Sequence, residues 1–237
     1  LFAEAGGLIA VSLLAFSMQE ELVGVLEENR DVIWVMRMSP WRANTILAAK
    51  LVALFFGIFL GFGLMTLLLS EASVSKVLGP QLARYAAEHT RIQGVSFGTP
   101  QTLFAHNALV LVGCFLFAFL FRTGGALLVI GWNASVWGAV YGWIVRAQPS
   151  GRFEYGAKLL GVVAPHVCLE AAGYVLAALA AIFVSKAMAK YGLETSTFRR
   201  VAWAAAQLLL LGVALLAAAA WVEAVWTPRI ARLVFGS

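Results

Sequence analysis

Leu160-Gly161-Val162-Val163-Ala164-Pro165-His166-Val167-Cys168-Leu169-Glu170 opens an apolar run that continues to Val184. The run exceeds the about 20 residues that a helix needs to cross a hydrocarbon core roughly 30 Å thick. Inside it, His166 and Glu170 stand four residues apart, so on a helix they share a face, one turn apart. An ionisable side chain near the bilayer centre costs about 2.5–3.5 kcal/mol on insertion scales, and such groups face a bundle interior and not lipid. The stretch therefore predicts a membrane-spanning helix that carries a polar interior site.

Composition extends this to the whole chain. Of 237 residues, 62% are hydrophobic and 12% charged, against about 45–50% and 25% in ordinary soluble domains. The expected fold class is all-α, a polytopic transmembrane helical bundle of five or six spans. Transmembrane strands would alternate over segments of about ten residues, whereas the apolar runs here are continuous. The stretches between runs reach only roughly 30 residues, too few for a separate soluble catalytic domain. The net charge of +5 comes from Lys and Arg collected at helix ends, where snorkelling and the positive-inside rule place them. No basic run with interleaved aromatics is present, which argues against nucleic acid as a partner. Cys114 and Cys168 lie inside apolar runs. They read as small buried residues with neither disulfide nor metal spacing.

Outward from the central run, the chain divides into residues 1–45, a transmembrane domain over 46–230, and a tail at 231–237. Residues 1–17 form a short apolar segment that suits a tilted helix, an interfacial segment or the remnant of a longer one. Because Leu1 is no initiator, a preceding targeting segment stays open. Residues 18–44 carry Glu20, Glu21, Glu27, Glu28 and Asp31 with three arginines. They read as an amphipathic juxtamembrane helix ended by Ser39-Pro40. Spans are expected at 45–69, 104–121, 124–145, 159–185 and 201–226. In the first, Gly57-x-x-x-Gly61 predicts close approach by another helix. In the loop 70–103, Val77, Leu78, Leu82, Tyr85 and Ala86 recur at helical spacing opposite Lys76, Arg84 and Glu88. This predicts an interfacial helix, or else a lid on the bundle. Arg122-Thr123-Gly124-Gly125 is a very tight turn, so the spans it joins are antiparallel neighbours. Tyr141, Trp143, Trp221 and Trp226 fall where aromatic belts form. The basic loop 186–200, with Lys186, Lys190, Arg199 and Arg200, favours the cytoplasm for its side and an outside C-terminus.

Only Glu170 and Glu223 among the acids fall well within long apolar spans. Alternation of the spans puts loops 70–103 and 146–158 and the tail on one membrane face. At about 1.5 Å per residue, His166 and Glu223 lie roughly 8–12 Å inside their span ends, and Asn107 and Glu170 enter from the same face. All four can meet in one leaflet. Asn133 sits deeper, and Pro165 is expected to kink its helix and free a carbonyl near the site. The candidate polar cluster is thus Asn107, Asn133, Pro165, His166, Glu170 and Glu223. It suits a hydrogen-bond network that locks helices, or a ligand or ion site. As a third reading, His166, Glu170 and Glu223 are candidate metal ligands in a facial triad, whose bound water would serve hydrolysis. His106 points about 100° away from Asn107 on the helix, and His-x-x-x-Glu is far less specific than HExxH. No serine elbow or phosphate loop appears, and no cofactor is indicated.

These same residues carry a resemblance. Phe104-Ala105-His106-Asn107 starts a span, and Gly131-Trp132-Asn133-Ala134 holds a mid-helix Asn. Pro165-His166-x-x-x-Glu170 and Glu223-x-x-x-Thr227-Pro228 follow. In order and spacing across roughly 46–230, the chain resembles the stage II sporulation protein M (SpoIIM-like) family of integral membrane proteins. It departs at Ala134 and Val167, where the family usually has Gly. In endospore formers the family's namesake acts with peptidoglycan-degrading partners during septal thinning and engulfment, as a membrane anchor and not as the hydrolase. The resemblance implies a non-catalytic, multi-pass protein of the cell membrane that scaffolds or anchors cell-envelope remodelling. Its expected partners are the lipid bilayer and membrane or envelope proteins, with a homo-oligomer left open. Two alternatives stand beside it. One is a transporter or channel with Glu170 and Glu223 as its cation or proton site, and Asn107 and Asn133 along the path. The other is a metal-dependent intramembrane hydrolase.

Overall fold

The computed structural model describes residues 40–76, 78–79, 82, 98–148 and 150–235. The expectations for residues 1–39, and for Val77, Arg84, Tyr85, Ala86 and Glu88, lie outside the described residues. Every regular element among those described is helical. They are α1 (Pro40–Leu68), α2 (Pro100–Arg146), α3 (Arg152–Tyr191), α4 (Ser196–Trp221), a π-helical turn (Val222–Trp226) and α5 (Thr227–Phe235). Four segments are long and apolar enough to cross a membrane: α1, α2, α3, and α4 continued through α5.

Local chemistry sets the ends. Proline opens both α1 and α2, where its missing N–H would have had no helical partner. Thr99 caps α2 in a reciprocal pair with Thr102. Within α2 the helix breaks at Arg122, with φ 52° and ψ −129°. A Cβ placed on Gly125 would stand 2.0 Å from the Phe117 carbonyl oxygen, so the chain doubles back here. The expected turn is present, and α2 is a hairpin of two limbs, 100–121 and 123–146.

The second limb runs parallel to α1, backbone on backbone. A Cβ on Gly138 would meet the Phe59 carbonyl at 2.2 Å, and one on Gly142 would meet that of Gly63 at 2.6 Å. Gly57 and Gly61, expected to make this contact, have nothing within 4 Å. Their face of α1 points outward, and the close approach uses Gly63 with two glycines of the neighbouring helix. The Arg146 guanidinium closes the end of the pair by donating to the Thr66 carbonyl at 2.8 Å and to the Leu69 carbonyl. These are orphan acceptors at the α1 C-terminus. Beyond α1, Val74, Leu78 and Leu82 recur four apart and are buried in the same core as the long helices, while Lys76 is exposed.

Helix α3 is the centre. Of its apolar window 72% is buried, against 22–33% in the other three segments. Gly173, Ala177, Ala178, Ala180 and Ala181 are all buried, and such small residues let helix backbones come close where lipid tails supply no hydrophobic drive. Gly173 meets Gly212 of α4, each Cβ position lying 3.0–3.1 Å from the other's carbonyl oxygen.

Three expectations are corrected along α3 and its neighbours. Pro165 is exposed, and α3 runs through it as unbroken α-helix. It precedes His166 by about 100° of rotation, so it faces away from the interior. Cys168 is also exposed, whereas Cys114 is buried as expected. Two residues past His166, Cys168 lies about 200° around the helix. Tyr141 turns inward onto His166, whereas Trp221 and Trp226 keep exposed rings 6.3 Å apart.

Candidate functional site in one leaflet

The buried polar groups stack in layers down α3. Nearest the N-terminus of α3, His166 is flanked on both ring nitrogens. Tyr141 Oη lies 3.3 Å from Nε2, and Thr227 Oγ1 lies 3.3 Å from Nδ1. Thr227 Oγ1 also donates to the Val222 carbonyl at 3.2 Å. That bond uses the threonine proton, so Thr227 accepts from Nδ1–H, and Nε2 is paired with Tyr141. The π-helical turn makes this arrangement: the Thr227 N–H reaches the Val222 carbonyl five residues back. Backbone and side chain of Thr227 therefore converge on one acceptor. Single π turns of this kind are frequent at functional sites.

One turn deeper lie the acids. Glu170 follows His166 by four residues, and Glu223 precedes Thr227 by four on the antiparallel helix. Both are buried, at 2% and 5% exposure. Asn107 Nδ2, from the first limb of α2, donates to Glu170 Oε1 at 2.6 Å. Glu223 makes no hydrogen bond among the described residues, but it stands within electrostatic reach of Glu170, Tyr141 and Tyr174. A further turn down α3, the hydroxyl of fully buried Tyr174 has no hydrogen-bond partner among the described residues.

The structure thus brings together Asn107, His166, Glu170 and Glu223 from three helical pieces: the first limb of α2, α3, and the π turn. It does not join the other two candidates to them. Pro165 faces outward. Asn133 is half-buried about 12 Å along its helix from Tyr141, and its buried amide nitrogen has no partner among the described residues. His106 is exposed. Among the described residues no group of three or more His, Cys, Asp or Glu side chains is placed to hold a metal ion. The facial triad of His166, Glu170 and Glu223 therefore lacks its geometry, since both imidazole nitrogens are already engaged.

A family model described as Stage II sporulation protein M matches residues 51–228. The chain belongs to that family. The matched range holds Asn107, Tyr141, His166, Glu170, Tyr174, Glu223 and Thr227, so the layered site lies within the part that defines the Stage II sporulation protein M family here. Comparison with curated proteins and with solved structures found no match.

Tyr141, Tyr174 and Thr227 were not singled out from the sequence as site residues. A signal existed for two of them: Tyr174 continues the His166–Glu170 face by one more turn, and Thr227 continues that of Glu223. Tyr141 offered none, because a tyrosine near a span end suits the lipid interface equally well.

Proposed function

We propose that this Stage II sporulation protein M family member is a multi-pass protein of the cell membrane, crossing it five times between residues 40 and 235. It acts as a non-catalytic scaffold or anchor in envelope remodelling, and holds membrane or envelope partners against a rigid helical frame. The observation that carries this reading is the tethering of α3. Side-chain bonds from His166 and Glu170 reach both limbs of α2 and the start of α5, and glycine contacts press α4 against α3. A helix tied to three neighbouring elements suits a frame better than a moving part.

Deletion of the gene should alter septum or wall shape, and Glu170→Gln should restore it nearly as well as the native chain. Purified protein in vesicles should pass no more cation than empty vesicles. Cation flux that Glu170→Gln abolishes would replace the scaffold with a transporter. One observation favours that second reading: two buried acids lie within electrostatic reach of each other, with no buried lysine or arginine among the described residues.

A further inference from the structure

Among the described residues, the charge inventory of the site does not close. The buried polar side chains of the described residues are Thr66, Asn107, Thr123, Ser135, His166, Glu170, Glu223 and Thr227, with neither lysine nor arginine among them. His166 is the one basic group at the site. Its Nδ1 and Nε2 are engaged by Thr227 and Tyr141, so neither ring nitrogen is paired with a carboxyl group. Glu170 receives a single amide donor, and Glu223 none among the described residues. What remains is a donor-poor, oxygen-rich pair of carboxyl groups beside a fully buried tyrosine hydroxyl that is also without a partner. A buried negative charge without a counter-charge costs several kcal/mol, and oxygen ligands select hard cations. Fewer than three acidic or imidazole ligands disfavour a divalent ion, which wants six or more oxygens.

We propose that Glu170 and Glu223, with the Tyr174 hydroxyl and the Asn107 amide beside them, bind one monovalent positive charge, a proton or an alkali metal ion. The proposal rests on the reading of this cluster as a site within the bundle, and it names what the site holds. It is independent of flux: a bound cation can be a fixed part of the frame. The other titratable groups that face the pair are Tyr141 from α2, His166 and Tyr174 from α3, and Cys114 behind Tyr174.

The test uses the full chain purified in detergent, with thermal unfolding followed in sodium, potassium or choline chloride at equal ionic strength, at an acidic and an alkaline pH. Glu170→Gln, Glu223→Gln and Tyr174→Phe are the variants. If an alkali ion binds, sodium or potassium raises the midpoint above that in choline by about 5–10 °C near saturation. Both Gln variants lose the difference, and Tyr174→Phe reduces it. If a proton binds, the salts are equivalent, but infrared spectra of the native chain contain a protonated carboxyl band that one Gln variant removes. The band is read on the native chain, so it decides the matter even where a variant does not fold. Equivalent salts together with two ionised carboxylates at both pH values would overturn the proposal. So would Gln variants that respond to sodium or potassium as the native chain does. Either failure leaves the scaffold reading intact, because that reading stands on vesicle flux and envelope shape.

Discussion

Thr227 Oγ1 lies 3.3 Å from His166 Nδ1 while donating to the Val222 carbonyl at 3.2 Å. One hydroxyl thus both secures the π turn and engages the histidine ring. Thr227→Val keeps the shape and removes both bonds. It should cost about 1 kcal/mol and lower the thermal midpoint by about 2–4 °C. Tyr141→Phe, on the other ring nitrogen, should cost about as much. The two changes should couple in a double-mutant cycle by at least about 0.5 kcal/mol, because they act through one imidazole.

The glycines divide into two sets with opposite expectations. Gly138→Ala and Gly142→Ala drive a methyl into the α1 backbone, at 2.2 and 2.6 Å from carbonyl oxygens. Each should destabilise by about 1–3 kcal/mol or more, as overpacking does. Gly57→Ala and Gly61→Ala meet nothing within 4 Å. They should be neutral or stabilise by up to about 1 kcal/mol, because alanine is the better helix former. Thermal unfolding of the four variants in one detergent makes the comparison.

Arg146 spans from the end of α2 to the carbonyls of Thr66 and Leu69. Arg146→Ala should cost about 1.5–3 kcal/mol, the range for hydrogen bonds to a charged group. Arg146→Lys should recover only part, because a single ammonium lacks the planar fork that reaches two acceptors. Limited proteolysis should cut more readily just after Leu69 in the alanine variant.

The two thiols should report opposite surroundings. Cys168 is exposed on the outer side of α3 and Cys114 is buried. In membranes, a lipid-soluble maleimide should label the native chain once, and Cys168→Ala should abolish that labelling. Labelling of Cys114 before denaturation would show that the packing between α2 and α3 is looser than described.

Much of this arrangement could be read before any coordinates. Apolar run length located the spans, and the Arg122-Thr123-Gly124-Gly125 step marked the reversal. Alternation from face to face put Asn107, His166, Glu170 and Glu223 at one level. What stayed hidden was rotation about each helix axis. In a soluble helix the polar face announces which side is in, but lipid and protein interior are both apolar, so Gly57 and Gly138 look alike in sequence while only one touches a neighbour. The sides taken by Pro165 and Cys168 follow only once His166 is known to face inward. The π turn was also out of reach, since nothing in Val222–Trp226 signals one extra residue per turn, although its product, Thr227 beneath His166, depends on it.

The reversal at Arg122 bears on how the protein is made. With no spacer between Phe121 and Thr123, neither limb of α2 can remain in water while the other enters the bilayer. If both cross the membrane, the expected outcome is that they leave the translocon as one helical hairpin, after the ribosome has synthesised past Arg146. In the Cys168→Ala chain, a nascent chain arrested midway through the second limb should therefore still expose Cys114 to a water-soluble maleimide, and one arrested a few dozen residues later should not.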